Sequence, residues 1–163
     1  MANTGVVVQV SISAGGVPNR SIVCGEVTGR GITGDGWNHP QFHGIPRRAL
    51  LLITAEGLEI IKALGFPVYP GALGENVTTR GLDREALRIG QRFRCGTAIL
   101  QLTEIRLPCE TISVYGPGIQ KAIYDVLAMK NDPSSTVWGL SGFYASVVEP
   151  GIVRPGDPIT LLA

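Results

Sequence analysis

Apolar and polar positions alternate over short distances along most of the chain, which is typical of β-strands separated by turns. Near the N-terminus Val6, Val8, Val10 and Ile12 alternate with their neighbours and predict a strand with one strongly apolar face. Further strand-like runs lie at residues 22–28, 49–53, 77–79, 93–95, 98–105, 143–148 and 159–162. The pattern predicts a mainly β fold, a barrel or sandwich with a few helices.

Two segments have helical rather than strand periodicity. Apolar positions fall on one stripe over residues 55–64, where Thr54 is placed to cap the helix and Gly65 to end it. A second helix is predicted over residues 119–129.

Segment 29–44, by contrast, is rich in glycine and aromatic residues. A loop beyond about 12–15 residues inside a compact domain is typical of a functional loop.

Composition narrows the class of protein. The chain has 163 residues, 44% hydrophobic and 17% charged, which predicts one folded domain over residues 1–163 and argues against disorder. A net charge of +1 provides no global attraction to nucleic acid or to an anionic membrane. No apolar run approaches the roughly 20 residues of a membrane helix, and the N-terminus lacks the basic stretch of a signal peptide. We therefore expect a cytoplasmic protein with neither a nucleic acid nor a membrane partner.

Residues 106–109 (Arg-Leu-Pro-Cys) follow the apolar run 98–105 and hold the clearest candidate for chemistry. Because Pro108 cannot donate to a sheet ladder, we expect the strand to stop there and to present Cys109 on a stiff turn. The charge of Arg106 favours a thiolate, which serves as a nucleophile, a sulfur carrier or a soft metal ligand. A half-buried structural cysteine fits these four residues equally well.

The other two cysteines receive no chemical role. Three cysteines without a Cys-x-x-Cys pair predict neither a disulfide framework nor a structural zinc site. Cys95 shares a strand face with Phe93, which predicts a core position, whereas the pattern assigns nothing to Cys24.

Polar residues stand beside glycine and proline at three more places. These are segment 43–48 (His-Gly-Ile-Pro-Arg-Arg), segment 74–76 (Gly-Glu-Asn) and Asp35 in the long loop. Arginine binds phosphate or carboxylate with its rigid fork, and glycine lets a backbone amide approach an anion, so these residues together with a thiolate predict an anionic ligand beside a soft centre. Solvated surface charges and structural turn residues remain open as alternatives. The candidate pocket residues are His43, Arg47, Arg48, Gly74, Glu75, Asn76, Arg106 and Asp35.

Six segments, in this order and spacing, carry a family resemblance. The chain resembles the MOSC domain, the module named for the C-terminal part of molybdenum cofactor sulfurases, over nearly its whole length. The segments are 11–18 (Ser-Ile-Ser-Ala-Gly-Gly-Val-Pro), 31–35 (Gly-Ile-Thr-Gly-Asp), 43–49 (His-Gly-Ile-Pro-Arg-Arg-Ala), 70–78 (Pro-Gly-Ala-Leu-Gly-Glu-Asn-Val-Thr), 106–109 (Arg-Leu-Pro-Cys) and 153–157 (Val-Arg-Pro-Gly-Asp). Two positions depart from the family pattern. Ile45 replaces the second glycine of a His-Gly-Gly-Pro element, where we expect its side chain to crowd the backbone, and Leu73 replaces an aromatic residue.

The resemblance implies a mainly β, Greek-key-like MOSC barrel with two or three short helices. In cofactor-binding members the corresponding cysteine ligates molybdenum, so Cys109 is expected to be the thiolate ligand of a molybdenum cofactor. The candidate pocket residues are expected to hold the anionic pterin. Such a protein acts in maturation, delivery or storage of the cofactor, or as a small molybdoenzyme that reduces N-hydroxylated compounds.

Two further interpretations stay open. In other MOSC proteins the cysteine is proposed to carry sulfur as a persulfide, which here implies a sulfur carrier for metal–sulfur assembly with Cys109 as acceptor. A non-catalytic ligand-binding barrel with structural cysteines is the third interpretation. The expected partners are a cysteine desulfurase, proteins of molybdenum cofactor biosynthesis, or an external electron donor, because no flavin or nicotinamide motif is present.

Overall fold

The computed structural model describes residues 4–36 and 45–163, and β-strands dominate its regular structure. The strands are β1 (Thr4–Ile12), β2 (Arg20–Ile22), β3 (Gly25–Thr28), β4 (Gly31–Ile32), β5 (Leu50–Thr54), β6 (Val77–Arg80), β7 (Arg92–Cys95), β8 (Ala98–Ile105), β9 (Phe143–Glu149), β10 (Gly151–Val153) and β11 (Pro158–Leu161). The α-helices of the described residues are α1 (Ala55–Ala63), α2 (Ile119–Ile123) and α3 (Val126–Met129). Three-residue 3₁₀ turns lie at Pro46–Arg48 and Arg84–Ala86, and a longer 3₁₀ helix lies at Glu110–Tyr115.

Seven strands close into a barrel. They follow the order β11, β7, β8, β9, β5, β6, β1, and β1 pairs back with β11. Every neighbouring pair in the barrel is antiparallel except β5 and β6, which are parallel. Strand β2 extends the sheet beside β1, while β10, β3 and β4 form a small separate sheet. The predicted mainly β barrel with a few short helices is confirmed.

The core has two parts. One fills the barrel, with Trp138 and Phe143 in edge-to-face contact and Leu50, Leu52 and Leu100 around them. The other lies outside β5, where α1, α2 and the 70–76 loop pack together around the fully buried residues Ile53, Ile61, Leu73, Ile112 and Ile119. No helix in residues 4–36 and 45–163 combines the length and the apolar character that crossing a membrane would require.

Local capping and turn predictions around α1 and β8 are confirmed. The Thr54 hydroxyl accepts a hydrogen bond of 3.0 Å from the amide of Gly57 at the start of α1, and Gly65 follows the helix with φ +104°. Gly96 and Thr97 form the tight turn between β7 and β8, with Gly96 at φ +59°.

The face of the first strand differs from the prediction. The register of β1 against β6 shifts between Val7 and Gln9, so Val8 is an extra residue in a bulge. As a result Val7 is buried, whereas Val6 and Val8 are 38% and 36% exposed, and Val10 returns to the core. A simple alternation cannot anticipate this change because the bulge is set by the partner strand.

Two predicted elements are each divided in the structure. The run 22–28 becomes β2 and β3, which belong to different sheets, and Cys24 lies exposed between them. The helix predicted over residues 119–129 becomes α2 and α3. The break falls at Tyr124, which is extended (φ −150°), and the Asp125 side chain then caps α3 by accepting a hydrogen bond from the amide of Ala128.

Candidate functional site

Loops from distant parts of the chain enclose a small cavity at one end of the barrel. The segments after β1 and β4, the segments before β5 and β6, and the segment after β8 all contribute to it. The cavity has a volume of about 80 Å³. Its lining residues are Gly16, Val17, Asn19, Asp35, Gly36, Arg48, Ala49, Leu51, Gly74, Asn76, Arg106, Cys109, Thr111 and Tyr144.

Cys109 lies on the turn that follows β8. The strand ends at Ile105, and Cys109 precedes the 3₁₀ helix Glu110–Tyr115 with its side chain exposed. Its Sγ lies 2.7 Å from the Thr111 hydroxyl. Partial burial raises the pKa of the thiol, but the Thr111 hydroxyl and amide and the charge of Arg106 lower it by more, so the pKa falls below its ordinary value. The site therefore favours a thiolate.

Arg106 supplies a buried positive charge next to this sulfur. The residue is only 4% exposed, and its guanidinium donates to the backbone oxygens of Leu73 (2.9 Å) and Ser141 (3.3 Å). Within residues 4–36 and 45–163, the ion pairs that form involve other basic residues, and no carboxylate pairs with Arg106. A buried charge is costly unless it is compensated. An anionic group in the cavity, the Cys109 thiolate first of all, provides that compensation.

Asp35 and Asn76 form the opposite wall. The Asn76 amide group donates to Asp35 Oδ2 (2.8 Å) and to the backbone oxygen of Ser11 (3.2 Å), while its Oδ1 accepts from the amide of Leu51 (3.0 Å). Asn76 thus ties β1, β5 and the loop after β4 together. Burial raises the pKa of the Asp35 carboxyl, although hydrogen bonds from the Ser13 amide and from Asn76 act in the opposite direction.

Glu75 lies beneath the cavity rather than in its lining. Its fully buried carboxylate accepts hydrogen bonds from the amides of Gly71 and Leu73 and from the Thr78 hydroxyl, at 3.0 to 3.2 Å. Burial raises its pKa, which these hydrogen bonds oppose. Glu75 therefore holds the 70–76 loop in shape, and the same loop presents the Leu73 carbonyl to the buried arginine.

The two adjacent arginines of the 3₁₀ turn both contact Glu104, but only Arg48 lines the cavity. Arg48 lines the cavity, and its guanidinium carbon lies 5.3 Å from the centroid of the Tyr144 ring. The Arg47 side chain is 63% exposed and bonds to Glu104 outside the cavity.

Ile45, just before this turn, has φ −77° and ψ 153°. Any residue adopts that conformation, so the position does not require the glycine of the family pattern.

Comparison with known proteins assigns the family. A model of the MOSC domain family matches residues 39–160. The chain belongs to the MOSC domain family. It is 32% identical to the Bacillus subtilis protein YflK over 131 residues, 80% of this chain and 55% of that protein. It is 30% identical to the Escherichia coli protein YiiM over 143 residues, 84% of this chain and 58% of that protein. The chain therefore matches little more than half the length of these curated relatives.

Solved structures share the fold of this MOSC domain. The crystal structure of YiiM from Escherichia coli superposes over 98% of this chain and 70% of its own, with a TM-score of 0.69 and 24% identity. The YUAD protein of Bacillus subtilis superposes over 97% of this chain and 95% of its own, with a TM-score of 0.70 and 22% identity. At this level of identity the likeness supports the barrel architecture alone.

The MOSC fold gathers most of the residues that the sequence singled out. Its cavity is lined by Asp35, Arg48, Gly74, Asn76, Arg106 and Cys109. Arg47 and Glu75 are not among the lining residues, and His43 lies outside the described residues. The sequence reasoning missed four side chains in or beside the site: Asn19, Glu104, Thr111 and Tyr144. Of these four residues, Thr111 is the one that the local sequence could have indicated, because it follows Cys109 by two positions.

Proposed function

We propose that this MOSC domain binds the molybdenum cofactor with the Cys109 thiolate as the protein ligand of molybdenum. The observation that supports it most is the juxtaposition of an exposed sulfur and a buried guanidinium, Arg106, in one cavity. No carboxylate of residues 4–36 and 45–163 forms an ion pair with that guanidinium. This is the charge arrangement that a soft, anionic metal ligand needs.

The donor set fits such a group. Thiolate sulfur is a suitable ligand for a soft oxo-metal centre, and the guanidinium groups of Arg48 and Arg106 are suitable donors to its anionic oxygens. Gly74, at φ +86°, brings backbone to the cavity wall, where an added Cβ would lie 3.3 Å from Val17. The volume of about 80 Å³ is well below the roughly 300–1,000 Å³ of ordinary ligand pockets, so we expect it to take only the metal end of the cofactor.

The cofactor, when bound, supplies redox chemistry at the metal. The chain's own residues bind and orient it: Arg106 stabilises the thiolate, and Arg48 donates hydrogen bonds. The carboxyl of Asp35, which accepts hydrogen bonds from the Ser13 amide and from Asn76, lines the same cavity. We propose a role in maturation or delivery of the cofactor, or in reduction of N-hydroxylated compounds with electrons from a partner protein.

Metal analysis tests the proposal directly. The full chain is produced in a host that makes the molybdenum cofactor, and the molybdenum-to-protein ratio is measured for the wild type, Cys109→Ala and Cys24→Ala. Cys24 is exposed but lies outside the cavity, so its variant is the matched control. We expect Cys109→Ala alone to lose molybdenum. Equal metal content in all three proteins would rule out ligation by Cys109.

A sulfur carrier is the second candidate, and the small cavity is the observation that favours it. A space of about 80 Å³ is ample for one extra sulfur atom on an exposed thiolate. In the transfer, the Cys109 thiolate attacks the terminal sulfur of a desulfurase persulfide, a new S–S bond forms, and the desulfurase cysteine leaves as a thiolate. Mass spectrometry after incubation with a cysteine desulfurase and cysteine is expected to show one added sulfur on Cys109. Its absence would exclude this role.

A further inference from the structure

One carboxylate outside the cavity holds both arginines of the 3₁₀ turn. Glu104 Oε2 lies 2.6 Å from Nε of Arg47, and Glu104 Oε1 lies 2.8 Å from Nη2 and 3.0 Å from Nε of Arg48. The Glu104 side chain is only 17% exposed. Two nitrogens of Arg48 thus converge on a single carboxylate oxygen, which limits the directions that its guanidinium can take.

The strand register explains why Arg48 ends in the cavity. Glu104 of β8 pairs with Tyr144 of β9, so the carboxylate and the phenol ring lie side by side on neighbouring strands. The Arg48 guanidinium is held by the carboxylate and packs on the ring, a cation–π contact. Arg47 shares the Glu104 carboxylate and has additional contacts with Thr103: its Nη2 donates to the Thr103 backbone oxygen, and its own carbonyl accepts from the Thr103 hydroxyl.

We propose that Glu104 is a positioning residue that fixes the Arg48 guanidinium in the cavity wall as a donor to a phosphate-type oxyanion. This inference rests on the proposed function only in that the cavity takes an anionic ligand. A free arginine side chain loses rotamer entropy when it is ordered. Because Glu104 orders Arg48 before a ligand arrives, this cost does not reduce the affinity.

Whether Glu104→Ala tightens or weakens anion binding distinguishes positioning of Arg48 from simple charge balance. Glu104 is negative and close to the cavity, so its charge alone disfavours an anion. If neutralisation were its only role, Glu104→Ala would tighten anion binding. If it positions Arg48, the same substitution releases the guanidinium and weakens binding despite the gain of positive charge.

Titration calorimetry of the metal-free full chain with inorganic phosphate, at fixed ionic strength, makes this test. We expect Arg48→Met and Glu104→Ala each to weaken phosphate binding about tenfold, which corresponds to the loss of one charge-assisted contact. Arg47→Met, the matched control, is expected to change affinity less than about twofold because the Arg48–Glu104 pair remains. The double variant Glu104→Ala/Arg48→Met is expected to match Arg48→Met alone, since Glu104 acts through Arg48.

Several results would overturn the inference. They are unchanged or tighter binding in Glu104→Ala, additive losses in the double variant, and no phosphate binding by the wild type. If Glu104→Ala does not fold, Glu104→Gln replaces it; the amide oxygen still accepts from Arg48, so an intermediate loss is expected, and an unchanged or tighter affinity overturns the inference. The titration uses the metal-free chain and inorganic phosphate, so a failure of molybdenum ligation by Cys109 would leave this result standing.

Discussion

Cys95 and Cys109 lie just beyond opposite ends of β8, and their surroundings have opposite effects on the thiol. Cys95 ends β7 opposite Ala98 and is completely buried in the barrel core, where burial and the charge of Asp157 raise its pKa from 9.0 to about 12. Cys109 is exposed in a cavity, where Thr111 and Arg106 lower its pKa. One strand therefore separates a thiol with a raised pKa from one with a lowered pKa, and the difference comes from burial and local donors rather than from residue type.

The largest expected effect is the difference in alkylation rate between these two thiols. A pKa of about 12 reduces the thiolate fraction of Cys95 about a thousandfold relative to a thiol at 9.0, and burial adds to this protection. With iodoacetamide at pH 7 and peptide mass spectrometry, we expect Cys109 to react more than about a thousandfold faster than Cys95. Cys24 serves as the exposed reference. Comparable rates at Cys24 and Cys109 would remove the case for an activated thiol.

Stability at alkaline pH is expected to report on Cys95. The unfolded thiol ionises near 9 and the folded one near 12, so between these values the unfolded chain binds fewer protons and the free energy of unfolding falls as pH rises. The contribution is up to about 1.4 kcal/mol per pH unit. Urea denaturation at pH 8 to 11 is expected to show a shallower decline for Cys95→Ala than for the wild type. Parallel curves would mean that Cys95 is not protected in the core.

The next effect is expected from removal of the buried guanidinium of Arg106, which lies beside Cys109. Arg106→Met takes away one of the groups that lower the pKa of Cys109, after the Thr111 hydroxyl and amide, so we expect the alkylation rate of Cys109 at pH 7 to fall about threefold. Arg94→Met is the matched control, because Arg94 is an exposed arginine on β7 next to Cys95. A rate that stays constant in Arg106→Met, in a protein that circular dichroism shows to be folded, would assign the reactivity to other donors.

An effect of similar size is expected from the hydroxyl beside the sulfur. Thr111→Val keeps the shape of the side chain but removes the hydroxyl that lies 2.7 Å from Sγ. Loss of one hydrogen bond to the thiolate is expected to slow alkylation of Cys109 about threefold, with the Thr111 amide still in place. Rates at Cys109 and Cys24 in the same sample provide the internal comparison. An equal slowing at both would indicate a change unrelated to this contact.

Much of the fold could be predicted because local chemistry determines it. Thr54 caps α1, the Gly96–Thr97 turn reverses β7 into β8, and the residue before Pro108 lies beyond the end of β8. The bulge in β1 and the helix break at Tyr124 could not be predicted, because the bulge depends on a partner strand and the break on the Asp125 cap, which competes with a continuous helix.

The candidate site was predictable by residue type but not by arrangement. Buried arginine, glycine loops and an exposed cysteine have recognisable chemistry in the sequence. Arg48 is held at the cavity by Glu104, 56 positions further along the chain, and by the ring of Tyr144. Tyr144 reaches the site by pairing with that glutamate on β8 and with Leu51 on β5. Such long-range contacts leave no local pattern.

X-ray absorption at the molybdenum edge tests the central claim most directly. The wild type, Cys95→Ala and Cys109→Ser are compared after production in a host that makes the cofactor, and the number of sulfur neighbours of molybdenum is measured. We expect the wild type and Cys95→Ala to have the same number, and any molybdenum that Cys109→Ser retains to have one sulfur fewer. An unchanged sulfur count in Cys109→Ser would contradict the assignment of Cys109 as the metal ligand.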